Sequence, residues 1–363
     1  MPEDAYGRGE GVGEGQEVEG LSQGQIVWSR FIRHRGAIGG LITIGLVTLS
    51  SILMMGIGPL DGLWRDQQIR SGEVLNGGRP TLTLPGVHGS EFAIGMHPFG
   101  QDSLGRDYFA QVMLGVQTSL FVALVLGVVA LTIGVTVGAL AGYYRGKVDM
   151  ALMRVTDLVI TLPVIVMGAV LGSLVAKLPL RLNAGPEVSA WIRENMPLLL
   201  AVALGCILWT GLARLVRSEF LTLREREFVD SARVAGASDF RIIVKHMLPN
   251  SVGVIVVNTT LLMSAAVTLE AALSFVGFGI QPPSISLGRL IQENQGAFST
   301  RPWLFWWPGL FIMLIALSIN FIGDGLRDAF DPRTKKIPSA RAMAKAERQL
   351  LERAQTENKE VSS

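Results

Sequence analysis

The residues best suited to chemistry in this sequence are polar groups set inside apolar stretches. Two of them are acids, Asp157 and Glu270. A charge inside a bilayer costs a few kcal/mol, so such a group normally faces a cavity or a partner. Glu270 is a candidate for lining or gating a pathway, with a structural hydrogen bond between helices as the alternative. Asp157 is interpreted as a structural intramembrane acid, paired with Arg154 or Arg145.

Uncharged polar side chains share the apolar stretch that holds Glu270. They are Asn258, Thr259, Ser264 and Thr268. They could line a wet route through a membrane, and hydrogen bonding between helices is an equal alternative. Asn258 and Ser264 therefore join Glu270 as candidates for a pathway or a gate.

The sequence lacks the common catalytic signatures. It has no GxxxxGK[ST] loop to cradle the phosphates of ATP, no HExxH zinc motif and no GxSxG nucleophile elbow. Its 4 histidines are spread along the chain and its one cysteine, Cys206, lies in an apolar stretch, so neither a metal site nor a disulfide framework is predicted. The chain is expected to bind no cofactor and not to be an enzyme.

The composition indicates a membrane protein. Of the 363 residues, 49% are hydrophobic and 17% are charged, whereas an ordinary soluble domain has about 25% charged residues. The formal net charge of +2 is too small to argue for nucleic acid as a partner. Because the missing charges leave long uncharged windows, the sequence predicts an all-α, polytopic protein in a lipid bilayer.

Six apolar runs are close to the length of about 20 residues that a helix needs to cross a bilayer. The third run is interrupted by Pro163. In the second, Gly134, Gly138 and Gly142 recur every four residues and would let another helix pack closely, although membrane helices are also rich in glycine generally. The predicted spans cover residues 36–60, 120–142, 155–175, 197–216, 252–275 and 303–322, the last with an outer belt of tryptophans.

Basic residues set the predicted orientation of the chain. Those from Arg30 to Arg35 precede the first span, which places both termini in the cytoplasm. The apolar run that follows is too long for a cleavable signal peptide, so the chain is expected to stay in the cell membrane. The predicted parts are a cytoplasmic tail (1–35, disordered to about residue 24), the first span (36–60), an irregular or β-rich extracytoplasmic insertion with an interfacial helix capped by Ser103 or Asp107 (61–117), a core of five spans (118–325) and a charged second cytoplasmic tail (326–363).

The longest charged, helix-like segment covers residues 224–250, between the fourth and fifth spans. Its apolar residues recur at helical spacing and are interrupted at Gly236, so two short amphipathic helices hinged at that glycine are predicted. Its basic residues place it in the cytosol. Such a surface needs a protein partner.

This segment resembles the cytoplasmic loop of the permease subunits of ABC transporters. The family pattern is an acid with two small residues, then a glycine, then a closing apolar residue and proline, and it stands here as Asp230-Ser231-Ala232, Gly236 and Leu248-Pro249. Asp230 and Ser231 depart from the commonest form, in which Glu and Ala are usual, but they keep an acid followed by a small residue.

Further motifs resemble the C-type permeases of the dipeptide/oligopeptide branch, in the family's order, over about residues 36–333. They include His97-Pro98-Phe99-Gly100, Leu104-Gly105-Arg106-Asp107, Ala141-Gly142-Tyr143, Glu270-Ala271-Ala272-Leu273-Ser274-Phe275, Gln281-Pro282-Pro283 and Asp331-Pro332. Two departures are Leu287, where tryptophan is usual, and residues 61–92, which do not align. Both lie on the face where a binding protein would deliver substrate, so the resemblance does not fix the substrate.

The resemblance implies a type I ABC-importer permease fold and a subunit of an ATP-driven, binding-protein-dependent importer of di- or oligopeptides. The implied partners are a second, homologous permease subunit, two cytoplasmic ATPase subunits that carry ATP and Mg²⁺, and an extracytoplasmic solute-binding protein. Nickel chelates, glutathione and oligosaccharides are alternative cargoes. An ATP-independent secondary transporter is the alternative from another class, but it would usually show inverted repeats with paired broken helices, and no convincing repeat is found.

The resemblance also implies that residues 217–250 form the loop that couples the permease to the ATPase. A helix of this loop would dock in a groove of the ATPase. Gly236 would permit the bend, and Pro249 would end the segment before the fifth span. The residues predicted to serve this coupling are Glu225, Asp230, Ala232, Gly236, His246 and Pro249.

Overall fold

The structure is a computed structural model that describes residues 23–58, 60–64, 72–83 and 93–331. The predictions of disorder for most of the first 24 residues and of a charged tail after residue 331 fall outside the described residues. So does much of the predicted extracytoplasmic insertion, at residues 65–71 and 84–92.

Helices dominate the described residues. They are α1 (Gln23–Arg33), α2 (Arg35–Met55), α3 (Tyr108–Tyr144), α4 (Gly146–Ile160), α5 (Val164–Ala176), α6 (Leu178–Arg181), α7 (Pro186–Glu194), α8 (Met196–Leu223), α9 (Glu227–Val234), α10 (Asp239–Arg241), α11 (Leu248–Phe275), α12 (Leu287–Glu293) and α13 (Trp303–Phe330). Short 3-10 segments cover Leu75–Gly78 and Gln295–Ala297, and a π-helical segment covers Ile242–Met247.

Two small antiparallel hairpins follow the first span. In one, β1 (Gly56–Ile57) pairs with β2 (Leu60–Asp61), and Gly56 stands opposite Asp61. In the other, β3 (Leu82–Thr83) pairs with β4 (Ala93–Ile94), and Leu82 stands opposite Ile94. The described part of the insertion is therefore irregular with short strands, as its glycine- and proline-rich sequence predicts.

Five helices of the described residues are long and apolar enough to cross a bilayer: α2, α3, α8, the continuous helix Asp239–Phe275 and α13. Together, α4 and α5 give a sixth, which is bent by 85° between them. The bend coincides with Pro163, which has no N–H to continue the hydrogen bonding of α4 and stands at the N-cap of α5. This agrees with the six predicted spans and with the interruption of the third.

Several element boundaries differ from the predictions, and α8 and α13 run past the predicted ends of their spans, to Leu223 and Phe330. The first span ends at Met55, not near residue 60, because the chain turns into the β1–β2 hairpin at Gly56, whose φ is 77°. Residues 23–33, predicted as part of a tail, form α1. The prediction of a separate interfacial helix was wrong. Asp107 caps α3 itself, and α3 runs unbroken through the predicted second span.

The start of α3 is buried in protein, which explains the missing interfacial helix. Asp107 Oδ1 accepts a hydrogen bond of 2.8 Å from the Ala110 amide. The Tyr108 hydroxyl donates to the Leu304 carbonyl at 2.5 Å and so ties α3 to α13. Nearby, Phe99 stacks on Trp307 with ring centroids 3.9 Å apart. Of the predicted tryptophan belt, Trp306 is exposed, whereas Trp303 and Trp307 pack against the core.

The closest packing in the membrane domain joins α3 to α8 along the predicted glycine face. A Cβ on Gly134 would lie 3.0 Å from the Trp209 carbonyl oxygen, and one on Gly138 would lie 2.5 Å from that of Ala213. A Cβ on Gly142 would lie 2.6 Å from the Cβ of Phe220. The contacts at Gly138 and Gly142 leave no room for a methyl group and the contact at Gly134 is tight, so the glycines serve helix packing.

Candidate coupling loop and intramembrane polar sites

Gly236 ends the first helix of the candidate coupling loop. Its φ of 80° is in the left-handed region, which favours glycine. The Gly236 amide donates to the Arg233 carbonyl and the Ala237 amide donates to the Ala232 carbonyl, each at 3.0 Å. This pair of bonds is the Schellman motif of a helix C-terminus. An added Cβ would meet nothing within 4 Å, so the requirement for glycine is conformational.

The second helix of the loop is not separate from the fifth span. From Asp239 the chain is helical without a break to Phe275. Pro249 lies in the first turn of α11, so the prediction that it ends the segment was wrong. The π-helical segment just before it explains why: the Leu248 amide donates five residues back, to the Ile243 carbonyl, and this change of register accommodates a proline.

The inner side of the loop packs on the ends of the spans. Val229 of α9 is fully buried, and Ala232 and Ala237 are half-buried in the same cluster. The rest of this cluster comes from α3, α8 and the start of the long helix and comprises Ala139, Tyr143, Leu212, Val216, Phe220, Ile242, Ile243, Met247 and Ile255. The loop is therefore a folded extension of the helical bundle.

Two large apolar side chains of the loop are much more exposed than the others, ahead of Val244 at 43% and Phe228 at 36%. Val234, at the end of α9, is 90% exposed, and Phe240 of α10 is 75% exposed. They flank Gly236 in sequence. Their sequence pattern did not mark them as functional residues, because a helical pattern shows which residues are apolar but not which side is covered. An apolar surface on a charged loop fits a docking partner.

Polar contacts fix the first part and the middle of the loop to the end of α3 and the turn that follows it. Arg145 Nη2 lies 2.5 Å from Glu225 Oε1. The Tyr143 hydroxyl donates to Asp239 Oδ1 at 2.7 Å. The guanidinium of Arg224 lies over the Tyr143 ring, 5.8 Å from its centroid. The carboxylate of Glu225 thus has a partner within the chain, and a contact with an ATPase stays a prediction.

A second set of ion pairs joins α4 to α8. Arg217 forms two parallel bonds to Asp149, of 2.5 and 2.6 Å. Arg214 Nη2 lies 2.5 Å from Asp157 Oδ1, and both side chains are about half exposed. Asp157 was predicted to pair with Arg154 or Arg145, and this prediction was wrong. Arg214 and Arg217 lie about one turn apart on α8, and their partner acids lie about two turns apart on α4. Residue spacing within one helix does not reveal such pairs, because they join distant segments of the chain.

The other predicted coupling residues lie on two successive helices. Asp230 is exposed on α9 and pairs with Arg233 at 3.2 Å. The carbonyl of His246, in the π-helical segment, accepts a hydrogen bond of 2.6 Å from the Asn250 side chain. Pro249 is exposed on α11. Asp230, Ala232 and Gly236 are therefore grouped on α9 and its cap, whereas His246 and Pro249 belong to the long helix.

Glu270 is fully buried, and its contacts match the alternative of an interhelical hydrogen bond. Ser119 of α3 donates to Glu270 Oε2 at 3.1 Å, and Ser274 donates to Oε1 at 2.7 Å. The Ser274 hydroxyl also accepts from the Ile280 amide at 3.1 Å, and Ser286 lies 3.4 Å from it. In this conformation Glu270 lines no open path, because α3, α11 and the segment before α12 enclose its carboxyl group.

The two polar pathway candidates also bond within the protein. Ser264 donates to the Ala316 carbonyl of α13 at 2.8 Å. Asn258 donates to the Val254 carbonyl of its own helix at 2.8 Å. In the part of the chain that the structure describes, no group of three or more His, Cys, Asp or Glu side chains could hold a metal ion.

Comparison with known proteins identifies the family. Residues 134–336, more than half of the chain, match the binding-protein-dependent transport system inner membrane component family, and residues 22–68 match the N-terminal transmembrane domain of oligopeptide transport permease C. The oligopeptide transport system permease protein OppC of Mycobacterium tuberculosis is 33% identical over 88% of this chain and 98% of its own length. The OppC protein of Haemophilus influenzae is 32% identical over 89% of this chain and 92% of its own. The chain therefore belongs to the binding-protein-dependent, OppC-like permeases of ABC transporters, and is a multi-pass membrane protein with the helical fold of that family.

Proposed function

We propose that this chain is a permease subunit of an ATP-driven importer that receives di- or oligopeptides from an extracytoplasmic solute-binding protein. Its family membership supports the transport role, and the names of its relatives support a peptide cargo. Nickel chelates, glutathione and oligosaccharides are the alternative cargoes. The pathway would lie between this chain and a second, homologous permease, and both termini would be cytoplasmic.

The observation that carries the proposal is the two-sided construction of the coupling loop. One side buries Val229 against the ends of the spans, and the other exposes Val234 and Phe240. An exposed apolar patch on a folded, charged loop is the kind of surface that a helix-in-groove contact covers. Two separate cytoplasmic ATPase subunits, carrying ATP and Mg²⁺, would supply the groove and the energy.

The contacts of the loop give a physical route from the ATPase to the membrane. A force on α9 reaches the α3–α4 turn through the Arg145–Glu225 pair, and a force on α10 reaches it through Asp239 and Tyr143. The bidentate Arg217–Asp149 pair joins α8 to α4. Closure of the ATPase subunits would therefore move α3, α4 and α8 together and change which side of the membrane the pathway faces.

Co-purification tests the docking surface. Val234→Asp should abolish recovery of the ATPase subunits with this permease, because a carboxylate would enter an apolar groove. Leu180→Asp is the matched control, since Leu180 is 83% exposed on α6, away from the loop. It should leave recovery unchanged. Retention of the ATPase by the Val234 variant, or equal loss in both, would contradict the proposal.

Reconstitution tests the energy source and the cargo. In liposomes, the assembled complex should import peptide only with ATP inside, and the loaded binding protein should stimulate ATP hydrolysis. Uptake driven by an ion gradient without ATP would instead indicate a secondary transporter. A binding screen on the solute-binding protein with peptides, nickel chelates, glutathione and oligosaccharides would distinguish the cargoes.

A further inference from the structure

Helix α1 carries apolar side chains on two different faces. Val27 and Phe31 pack into a cluster with residues of α2 and α13. Trp28 and Ile32, one turn apart on a neighbouring face, are 61% and 48% exposed. Although the Trp28 ring stacks on Phe31, with centroids 6.2 Å apart, the second face leaves about half or more of an aromatic and of an aliphatic side chain exposed.

The contacts of α1 fix its level relative to the spans. Phe31 packs with Ala37, at the start of α2, and with Ala329, at the end of α13. Arg30 donates to the Asp331 carbonyl at 3.0 Å, just beyond α13. The extended backbone of His34, with φ −82° and ψ 102°, separates α1 from α2, so α1 does not continue the span. It lies beside the point where one span begins and another ends.

The remaining face of α1 is polar and basic. It exposes Ser29, Arg30 and Arg33, and Arg35 follows at the first turn of α2, also exposed. Beyond these residues, α2 exposes Leu41, Ile42 and Leu46, the beginning of its own apolar outer surface. The basic groups therefore stand at the boundary where the apolar surface of a span begins, which is the level of phospholipid headgroups.

We propose that α1 lies in the membrane–water interface and binds anionic phospholipid. Trp28 and Ile32 insert among the upper acyl chains, continuing the apolar surface of α2. Arg30, Arg33 and Arg35 contact headgroup phosphates. Such a helix, with an apolar strip beside a cationic one, is bound by buried apolar area together with attraction to anionic lipid. This assignment does not depend on the cargo.

Spin labels at two sites test the immersion. The chain's one cysteine, Cys206, is first changed to Ser, and the cysteines of the other subunits are replaced as well. Ile32→Cys or Ser29→Cys is then introduced as the labelling site in the full transporter. In liposomes, the label at 32 should be more accessible to oxygen than to a neutral nickel chelate, and the label at 29 should show the reverse. High nickel accessibility at both sites would place α1 in water, and low accessibility of both reagents at 32 would mean that a protein covers it. Either result would overturn the proposal.

The lipid preference has its own test. Adding phosphatidylglycerol to phosphatidylcholine vesicles should lower nickel accessibility at position 32. The combined variant Arg30→Gln, Arg33→Gln, Arg35→Gln should lose that response while keeping the immersion. If the variant responds to phosphatidylglycerol as the parent does, the arginines do not bind anionic headgroups and that part of the proposal is wrong.

Discussion

Glu270 sits between serine hydroxyls, and these contacts determine what a substitution there would do. Its two carboxyl oxygens accept hydrogen bonds from Ser119 and Ser274 on two helices. A buried group that loses its partner costs about 1–3 kcal/mol, whereas a partner of the same shape can keep the bonds. The interhelical role and the pathway role therefore give different experimental results.

Glu270→Gln should keep stability and transport near those of the parent, because the amide oxygen can accept from Ser274 while the amide nitrogen donates to the Ser119 hydroxyl, which can also act as an acceptor. Glu270→Leu should lower the unfolding free energy by about 1–3 kcal/mol, because Ser119 and Ser274 would lose their acceptors. Thermal unfolding of the purified complex measures the stability difference. Normal stability with impaired transport in the Gln variant would instead favour the pathway role.

Gly236 gives a prediction that depends on backbone conformation. Gly236→Asn should retain ATPase docking, because asparagine tolerates the left-handed region better than other side chains. Gly236→Arg should block docking, because it strains the cap by about 1–2 kcal/mol and adds a long charged side chain to the exposed side. Recovery of the ATPase measures docking, and the amount of permease in the membrane fraction should be unchanged in both. Parental transport by the Arg variant would contradict the docking role.

Single residues differ in how far sequence alone predicts them. Gly236 was predictable because it interrupts a helical pattern and because one backbone conformation accounts for it. The partner of Asp157 was not, since Arg214 is distant in the chain and only the packing of α8 on α4 brings it near. The exposure of Val234 was not predictable either, since a helical pattern does not show which side of a helix is covered.

At the scale of elements, the glycine face between α3 and α8 gives a matched pair of variants. Gly138→Ala should destabilise the protein by about 1–3 kcal/mol, because its Cβ would overlap the Ala213 carbonyl. Gly211→Ala on α8 should be neutral or slightly stabilising, because nothing lies within 4 Å of that Cβ and alanine favours the helix. Thermal unfolding compares them. Equal stability of the two variants would show that the glycine face does not set the packing.

The Arg145–Glu225 pair links the candidate coupling loop to the spans. Glu225→Arg should lower the amount of peptide transported per ATP hydrolysed, because like charges would push α9 away from the α3–α4 turn. Arg145→Glu combined with Glu225→Arg should restore the ratio. Stability should change little, because exposed pairs contribute about 0–1 kcal/mol. Parallel uptake and ATPase assays measure the ratio, and an unchanged ratio in Glu225→Arg would show that the pair transmits nothing.

Hydropathy and proline positions were sufficient to predict the spans and the break at Pro163. They could not predict that α3 begins at Tyr108, because its first turns are buried against α12 and α13 and so belong to protein packing. They also missed α1, whose few apolar residues follow a glycine-rich tail and do not form a long run. Both omissions concern helices whose surroundings, not composition, decide their position.

At the scale of the whole molecule, burial is uneven among the spans. In the most apolar stretch of α8, 56% of the residues are buried, compared with 22% in α2 and 28% in α13. Helix α8 is therefore more deeply packed than α2 and α13, most of whose residues are only partly buried or exposed. The number of spans could be predicted from the sequence, but which surfaces meet lipid and which meet another subunit depends on the assembly.

The unbroken helix from Asp239 to Phe275 has a mechanical consequence. At 1.5 Å per residue its 37 residues are about 55 Å long, so it acts as a lever arm that reaches from the coupling loop to the far end of the fifth span. The Ser119–Glu270 bond holds one end of the arm to α3, and the Tyr143–Asp239 bond holds the other end to the same helix. A tilt of the arm against α3 must therefore lengthen or break at least one of these two bonds.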